Sequence, residues 1–530
     1  MVQDILKMLF AWLLTAVWQY STAPWLGVLT KRHAPDGGWG FGRLSGWLVI
    51  SLVVWFLAHF GLAVNQPAFI WIITLLLAIP AHRIWRSRST ELVAILSPKK
   101  TIIIWEEALF LIGFVALSLI RSFHPQILDL EKFMDAGLMV SYSKSPILPL
   151  QDMWLAGEKF NYYTFGHFMG ALASQYWRIP VSVSYNLLLG LIAGLLLMQV
   201  FSMVATLVAT TNRKASLKAL VASGLVGVLL VVVGGNGHAA WHLIKNGNFK
   251  GYWYPDATRF IDRTIHEFPS YSFIVSDLHA HVWSLPIVLL TIMAIGYWLA
   301  ELHEVVKAKK AVYWWQTAAV VGLLLGVLVM TSSWDAAIYS LLLGVLGIIS
   351  LIKNPRCIFK LMLSALMIVI MMIVGSSMWW LNFESISEGV RVAHEHSPFW
   401  QLLVLWGPHV ATSVLSLAVG IGLLWRSKKN YSWYILLAGL VITAFCLLVL
   451  PELIFVKDIY PNHPRANTMF KLTFQAFTIM GIAIAWLAGW VQSTRISTRI
   501  TWPIRIWLLL VLCGVLLYPF FGYRDYYDRM

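Results

Sequence analysis

Three polar stretches of an otherwise apolar chain carry residue types that could do chemistry. In the first, Glu131 and Asp135 stand four residues apart, so on a helix they share a face, and Asp152 follows just before Trp154 and Gly157. A carboxylate so placed can take a proton from an attacking hydroxyl as a general base; it can equally be a solvated loop charge or a helix cap. In the second stretch, Asp277, His279 and His281 alternate. On a strand all three project to one side, and on a helix Asp277 and His281 do. Either geometry could hold a divalent cation such as Mg or Mn through carboxylate oxygen and imidazole nitrogen. The same run could bind phosphate through imidazolium, or cap a helix starting near Val282. In the third stretch, His463, Arg465, Asn467 and Lys471 lead directly into an apolar run. Arg465 and Lys471 would sit at the membrane surface, where arginine can grip phosphate oxygens bidentately; the alternative is a snorkelling pair among lipid headgroups.

The elements that position these groups follow from composition. Of 530 residues, 59% are hydrophobic and 12% charged, far from the balance of a soluble domain. This excludes a soluble enzyme, a disordered chain and a disulfide-rich secreted domain. The expected fold is an all-α polytopic membrane protein. Fourteen apolar runs are long enough to cross a bilayer as helix, near 5–22, 44–62, 67–81, 102–120, 183–209, 218–233, 284–303, 314–330, 335–352, 361–381, 409–425, 432–450, 471–491 and 505–521. The opening Met1-Val2-Gln3-Asp4 lacks a basic leader, so the first run reads as a retained span. Cys357, Cys446 and Cys513 are too few and too scattered for a disulfide framework or a cysteine zinc site.

Charge orients the spans. More than half of the 39 Lys and Arg cluster in seven short loops, around Lys31-Arg32, Arg83–Lys100, Arg213–Lys218, Lys307–Lys310, Lys353–Lys360, Arg426–Lys429 and Arg495–Arg505. With fourteen spans these loops share one face, which the positive-inside rule makes cytoplasmic, and both termini lie outside. The net charge of +15 is therefore a signal of topology, and no nucleic-acid partner is expected. Residues 162–178 look like a span, but crossing there would invert every later loop, so they read as a helix lying in the interface. The long loops 121–182, 234–283, 382–408 and 451–470 are then all extracytoplasmic and hold most acids and histidines. Polar groups gathered at one membrane surface favour surface chemistry on a lipid-linked substrate over transport through the midplane.

The strings Glu131-Lys132-Phe133-Met134-Asp135, Asp152-Met153-Trp154-Leu155-Ala156-Gly157 and Asn161-Tyr162-Tyr163-Thr164-Phe165-Gly166-His167 occur in order. Ser276-Asp277-Leu278-His279-Ala280-His281 and Arg465-Ala466-Asn467-Thr468-Met469-Phe470-Lys471 follow them. Together they resemble the YYY membrane protein family (the Chlor_Arch_YYY domain), with Thr164 at the third position of the name-giving tyrosine triplet. That family resembles the GT-C superfamily of integral-membrane glycosyltransferases, which transfer sugars from polyprenyl-phosphate carriers. The resemblance implies an N-terminal addition over 1–100, a core over 101–492 and a C-terminal span with a short tail over 493–530. It implies Asp135 as the base in the first core loop, with Asp152 sharing the task; Glu131, one helical turn earlier, would raise the proton affinity of Asp135 by like-charge repulsion. It also implies donor contacts from His167, Arg465, Asn467 and Lys471, with His463 beside them. Tyr162 and Tyr163 would stack on sugar rings, while Asp277, His279 and His281 line the site or hold the cation.

The expectation is thus a multi-pass cell-membrane glycosyltransferase, active on the extracytoplasmic face. A lipid-linked sugar donor would reach it through membrane lipid, and the acceptor would be a glycan, lipid or protein. The alternative is a flippase or transporter of lipid-linked saccharides that makes and breaks no bonds.

Overall fold

The computed structural model describes residues 2–30, 33–96, 100–308, 314–385, 387–427, 431–457, 462–494 and 496–527. Apolar runs become helices here because lipid offers no partner for backbone N–H and C=O groups, which a helix satisfies internally. The first group is α1 (Val2–Thr30), α2 (Gly42–His59), α3 (Pro67–Ser87) and the short α4 (Ser89–Leu96). α5 (Lys100–Phe123) leads into the polar segment holding α6 (Lys132–Lys144) and α7 (Phe165–Trp177). α8 (Val181–Thr211) and α9 (Leu217–Val228) precede the short α10 (His238–Asn246), α11 (Asp256–Arg259) and α12 (Pro269–Ile274). The remaining helices are α13 (Ala280–Ala308), α14 (Trp314–Thr331), α15 (Ser333–Lys353) and α16 (Ile358–Trp380), then α17 (Phe399–Arg426), α18 (Tyr431–Leu453), α19 (Ala466–Ser493) and α20 (Thr498–Tyr526). Two three-residue strands, β1 (Val390–Val392) and β2 (Ile454–Val456), pair antiparallel with Val390 opposite Val456.

The chain is an all-α polytopic membrane protein, with twelve described helices long and apolar enough to cross a bilayer. A thirteenth arises if residues Leu217–Val233 and His238–Asn246, bent by 79°, count as one span. The fourteen expected spans differ from this at two places. α1 has the length, but Trp12, Trp18, Gln19, Tyr20 and Trp25 dilute its hydropathy. α9 ends in a π-helical turn over Leu229–Val233 before the bend, a local distortion that the apolar composition of 218–233 does not betray.

Small residues let the core helices approach. α5 and α8 cross where a Cβ on Gly113 would lie 2.8 Å from the Gly194 Cα, and one on Gly194 would lie 2.6 Å from the Phe110 carbonyl oxygen. Polar contacts gather the described loop ends into two sets. At one end Tyr434 donates to the Thr211 carbonyl (2.7 Å), Asn212 to the Ser493 carbonyl (3.3 Å) and Lys353 to the Leu424 carbonyl (3.0 Å). Arg213, Lys353 and Arg426 therefore share an end, as the loop charges imply. Lys31, Arg32, Lys99, Lys309, Lys310, Lys428, Lys429 and Arg495 lie outside the described residues. At the opposite end Asn161 donates to the Glu384 carbonyl (2.8 Å) and Lys159 to Asn382 (3.0 Å). The strand pair joins the segment before α17 to the segment after α18.

α7 does not cross. Its 13 residues rise only about 20 Å, short of a bilayer core of about 30 Å. Thr164 before it bonds Tyr142, and Gln175 near its end bonds Asn65, whose amide also donates to the Tyr142 carbonyl. Both ends of α7 thus stay beside the same feature. It is not a surface helix, however: every residue in it is buried, packed by Trp18, Trp47, Trp71 and Trp283. A Cβ on Gly166 would collide with the Trp283 side chain, and one on Gly170 would lie 2.6 Å from its ring. Gly166→Ala is therefore expected to destabilise the protein by about 1–3 kcal/mol, the usual cost of overpacking, read as a lower unfolding temperature in detergent.

Candidate functional site

The first turn of the tightly packed α7 carries His167. There His167 Nε2 lies 2.7 Å from Asp135 Oδ1, and both side chains are fully enclosed. Asp135 occupies the first turn of α6, one turn after Glu131, and the expected shared face is real. Both carboxylates reach the same atom: His279 Nδ1 lies 3.1 Å from Asp135 Oδ1 and 3.2 Å from Glu131 Oε2. His279 comes from the turn between α12 and α13. Ser276 in that turn takes φ +59°, a left-handed conformation that costs a non-glycine residue energy and that its Oγ bond to Tyr527 helps to hold. The other ring nitrogen of His279 meets the Tyr162 hydroxyl at 3.2 Å, and Tyr162 stacks on Tyr163 with ring centroids 4.0 Å apart.

Of these groups Glu131, Tyr162, Tyr163 and His279 border a cavity of about 630 Å³, in the size range of small-molecule sites. Its wall is built from four separate chain segments. Glu131 comes from before α6, and Tyr162 and Tyr163 from before α7. Arg259, Glu267, Tyr271, Asp277, His279 and His281 come from the stretch around α11 and α12. His463, Asn467 and Lys471 come from the entry of α19. The lysine is buried, with its ammonium 4.4 Å from the Phe470 ring centroid and no carboxylate within ion-pair distance among the described residues.

Burial and neighbours set the charges. The expected rise in Asp135's proton affinity from Glu131 is not found: burial would raise its pKa, but hydrogen bonds from His167 and His279 prevail and hold it down to about 2. Burial pushes Asp277 up to about 7; His279 opposes this, and the carboxylates of Asp135, Glu267 and Glu131 reinforce it. Burial would lower His279, yet its bond to Asp135 leaves it raised. Asp135 Oδ2, Asp277 Oδ1 and His281 Nδ1 are buried with no hydrogen-bond partner. Asp135, His167 and His279 offer three donor atoms within 4.8 Å of one another, an arrangement that could hold a metal ion. The trio read from sequence shares only His279 with it. Asp277 Oδ2 lies 3.7 Å from His281 Nε2, and that nitrogen also bonds Ser272.

Four candidates from the sequence stand outside the cavity lining: Asp135 and His167, which are fully enclosed, and Asp152 and Arg465. Asp152 caps its own turn, accepting the Trp154 and Leu155 amides at 2.7 and 3.0 Å. Arg465 donates to Glu452 Oε2 at 2.7 Å and is nearly buried, so its guanidinium is already matched. Arg465→Ala would leave the largely buried Glu452 carboxylate without its counter-charge, with the Ser397 amide still donating to Oε2 at 2.9 Å. We expect a loss of about 3–5 kcal/mol in stability, seen as a lower unfolding temperature that the double variant Arg465→Met, Glu452→Met partly restores. Sequence reasoning missed Arg259 and Tyr271 as wall residues. Arg259 bonds Glu267 at 2.7 Å, and neither residue sits in a pattern that distinguishes it from an ordinary loop. His238 and His242, by contrast, pack among Tyr252, Phe249 and Phe260 away from the cavity. The three cysteines are free.

The sequence matches the family model described as Uncharacterized membrane protein (DUF2298) over residues 49–442 and 412–480, most of the chain. No curated protein matches it.

Proposed function

We propose that this chain, which belongs to the DUF2298 family of uncharacterized membrane proteins, is a GT-C-like glycosyltransferase acting on a polyprenyl-phosphate sugar. The observation that carries the reading is the composition of one cavity wall at the membrane end away from the basic loops. There a buried, unmatched lysine, the carboxylates of Glu131, Asp262, Glu267 and Asp277, and a stacked tyrosine pair meet. A lipid-linked sugar phosphate asks for that combination: a cation for the phosphate, an aromatic face for the sugar and a base for the incoming hydroxyl. By the positive-inside rule this end faces away from the cytoplasm.

In the reaction, Lys471 holds the phosphate and Tyr162 and Tyr163 flank the sugar. The acceptor hydroxyl gives its proton to the Asp277 carboxylate as its oxygen bonds to the anomeric carbon. The bond from that carbon to the phosphate oxygen breaks, and its electron pair leaves with the phosphate beside Lys471. Asp277 is preferred to Asp135 because it lines the cavity, whereas Asp135 stands behind Glu131 between two imidazoles. The test is to incubate purified protein in lipid nanodiscs with a panel of labelled polyprenyl-phosphate sugars and membrane extract. Label should move to an acceptor, leaving the polyprenyl phosphate. Movement of intact lipid-linked saccharide between the leaflets of a proteoliposome, with no label transfer, would replace this reading with a flippase.

A further inference from the structure

We infer that Asp135, His167 and His279 bind a divalent first-row transition-metal ion in the cavity wall, with Glu131 as a fourth ligand. The inference is independent of glycosyl transfer, since the donor set would take its ion whatever reaction the cavity supports.

The first argument is the direction in which the donors point. His167 Nε2 and His279 Nδ1 come from different segments and converge on one oxygen, Asp135 Oδ1, at 2.7 and 3.1 Å. The second oxygen of the same carboxylate, Oδ2, is buried and has no partner. Hydrogen bonding alone explains this poorly, because two donors serving a buried carboxylate would ordinarily satisfy both oxygens. A cation drawing two imidazoles and a carboxylate to one point accounts for the crowding. Glu131 Oε2, 3.2 Å from His279 Nδ1, is within reach to complete the set.

The second argument is support. Metal-binding histidines are usually oriented through their other ring nitrogen, and the Tyr162 hydroxyl meets His279 Nε2 at 3.2 Å. His167 Nδ1 has no hydrogen-bond partner, so this ring is held by packing instead, on a fully buried helix against Trp283, whose ring lies edge-on at 6.1 Å. All three main ligands are buried, so the donor geometry is preorganised rather than left to mobile surface chains.

The donor chemistry names the class of ion. Two imidazoles with carboxylate oxygens suit Zn2+, Mn2+ or Fe2+ better than Mg2+ or Ca2+, which prefer oxygen ligands and water. Glu131 and His279 also line the cavity, so the ion would border the space where a ligand sits.

The test uses full-length protein in nanodiscs, stripped with a chelator and reloaded with Zn2+ or Mn2+ in excess Mg2+. Elemental analysis should find about one ion per chain, and the Mn2+ form should show the electron-paramagnetic signal of a bound ion. His167→Gln and His279→Gln should each weaken binding by more than the 10- to 100-fold typical of losing an outer-shell partner. Asp152→Asn should bind as wild type does. Unfolding temperatures of the variants, compared with metal-free wild type, separate lost ligands from lost fold. Wild-type protein that retains no ion, or variants that bind as tightly as wild type, would overturn the inference. Ion binding in a protein that transfers no sugar would leave it standing and remove only the glycosyltransferase reading.

Discussion

Asp277→Asn is expected to lower sugar transfer by about 10²–10⁴-fold, the usual range for a lost general base. Asparagine keeps the shape of the side chain and loses only its basic oxygen, so binding of the donor should change little. The same substitution at Asp152 should leave transfer intact, because Asp152 serves the Trp154 and Leu155 amides and stands outside the cavity wall. Measured initial rates of label transfer, with donor binding followed separately, decide the matter. Wild-type turnover in the Asp277 variant would move the base to Glu131, another carboxylate on the wall and 3.2 Å from His279.

Lys471→Ala should behave differently, because a phosphate contact exists before any bond breaks. A hydrogen bond to a charged group is worth about 1.5–3 kcal/mol, so donor affinity should fall roughly 10- to 150-fold, with a further loss in turnover as the leaving phosphate gains charge. The lysine is buried beside Phe470 with no matched carboxylate among the described residues, so removing it strands no partner and stability should hold or rise. This is the reverse of Arg465→Ala, whose damage should fall on stability. Lys471→Arg is not a conservative rescue, since the planar guanidinium needs more room than an ammonium against the aromatic ring. Titration of a fluorescent polyprenyl phosphate into each variant separates the cases. Unchanged affinity in Lys471→Ala would assign the phosphate to Arg259 on the same wall.

Much of the architecture could be read from order and composition alone. Apolar runs longer than a bilayer is thick have little choice but to be helices, and among the described residues Arg213, Lys353 and Arg426 share one end because every span reverses the chain. The shared face of Glu131 and Asp135 was equally legible, since helical periodicity is a local property. The polar runs that build the cavity stood out because they interrupt apolar sequence.

What each polar residue touches was not legible. Asp135 meets His279 across 144 positions and His167 across 32, and no periodicity spans such separations. Asp152, Arg465 and Lys471 look alike in sequence as charged residues beside apolar runs. Only packing gives the first a pair of backbone amides, the second a buried glutamate and the third an aromatic ring facing open space. Local patterning determined which segments are helical and which end of the bundle is polar. The choice of which charge is neutralised at home and which is left for a ligand belonged to the tertiary structure, because a charge is spent on its nearest neighbour in space.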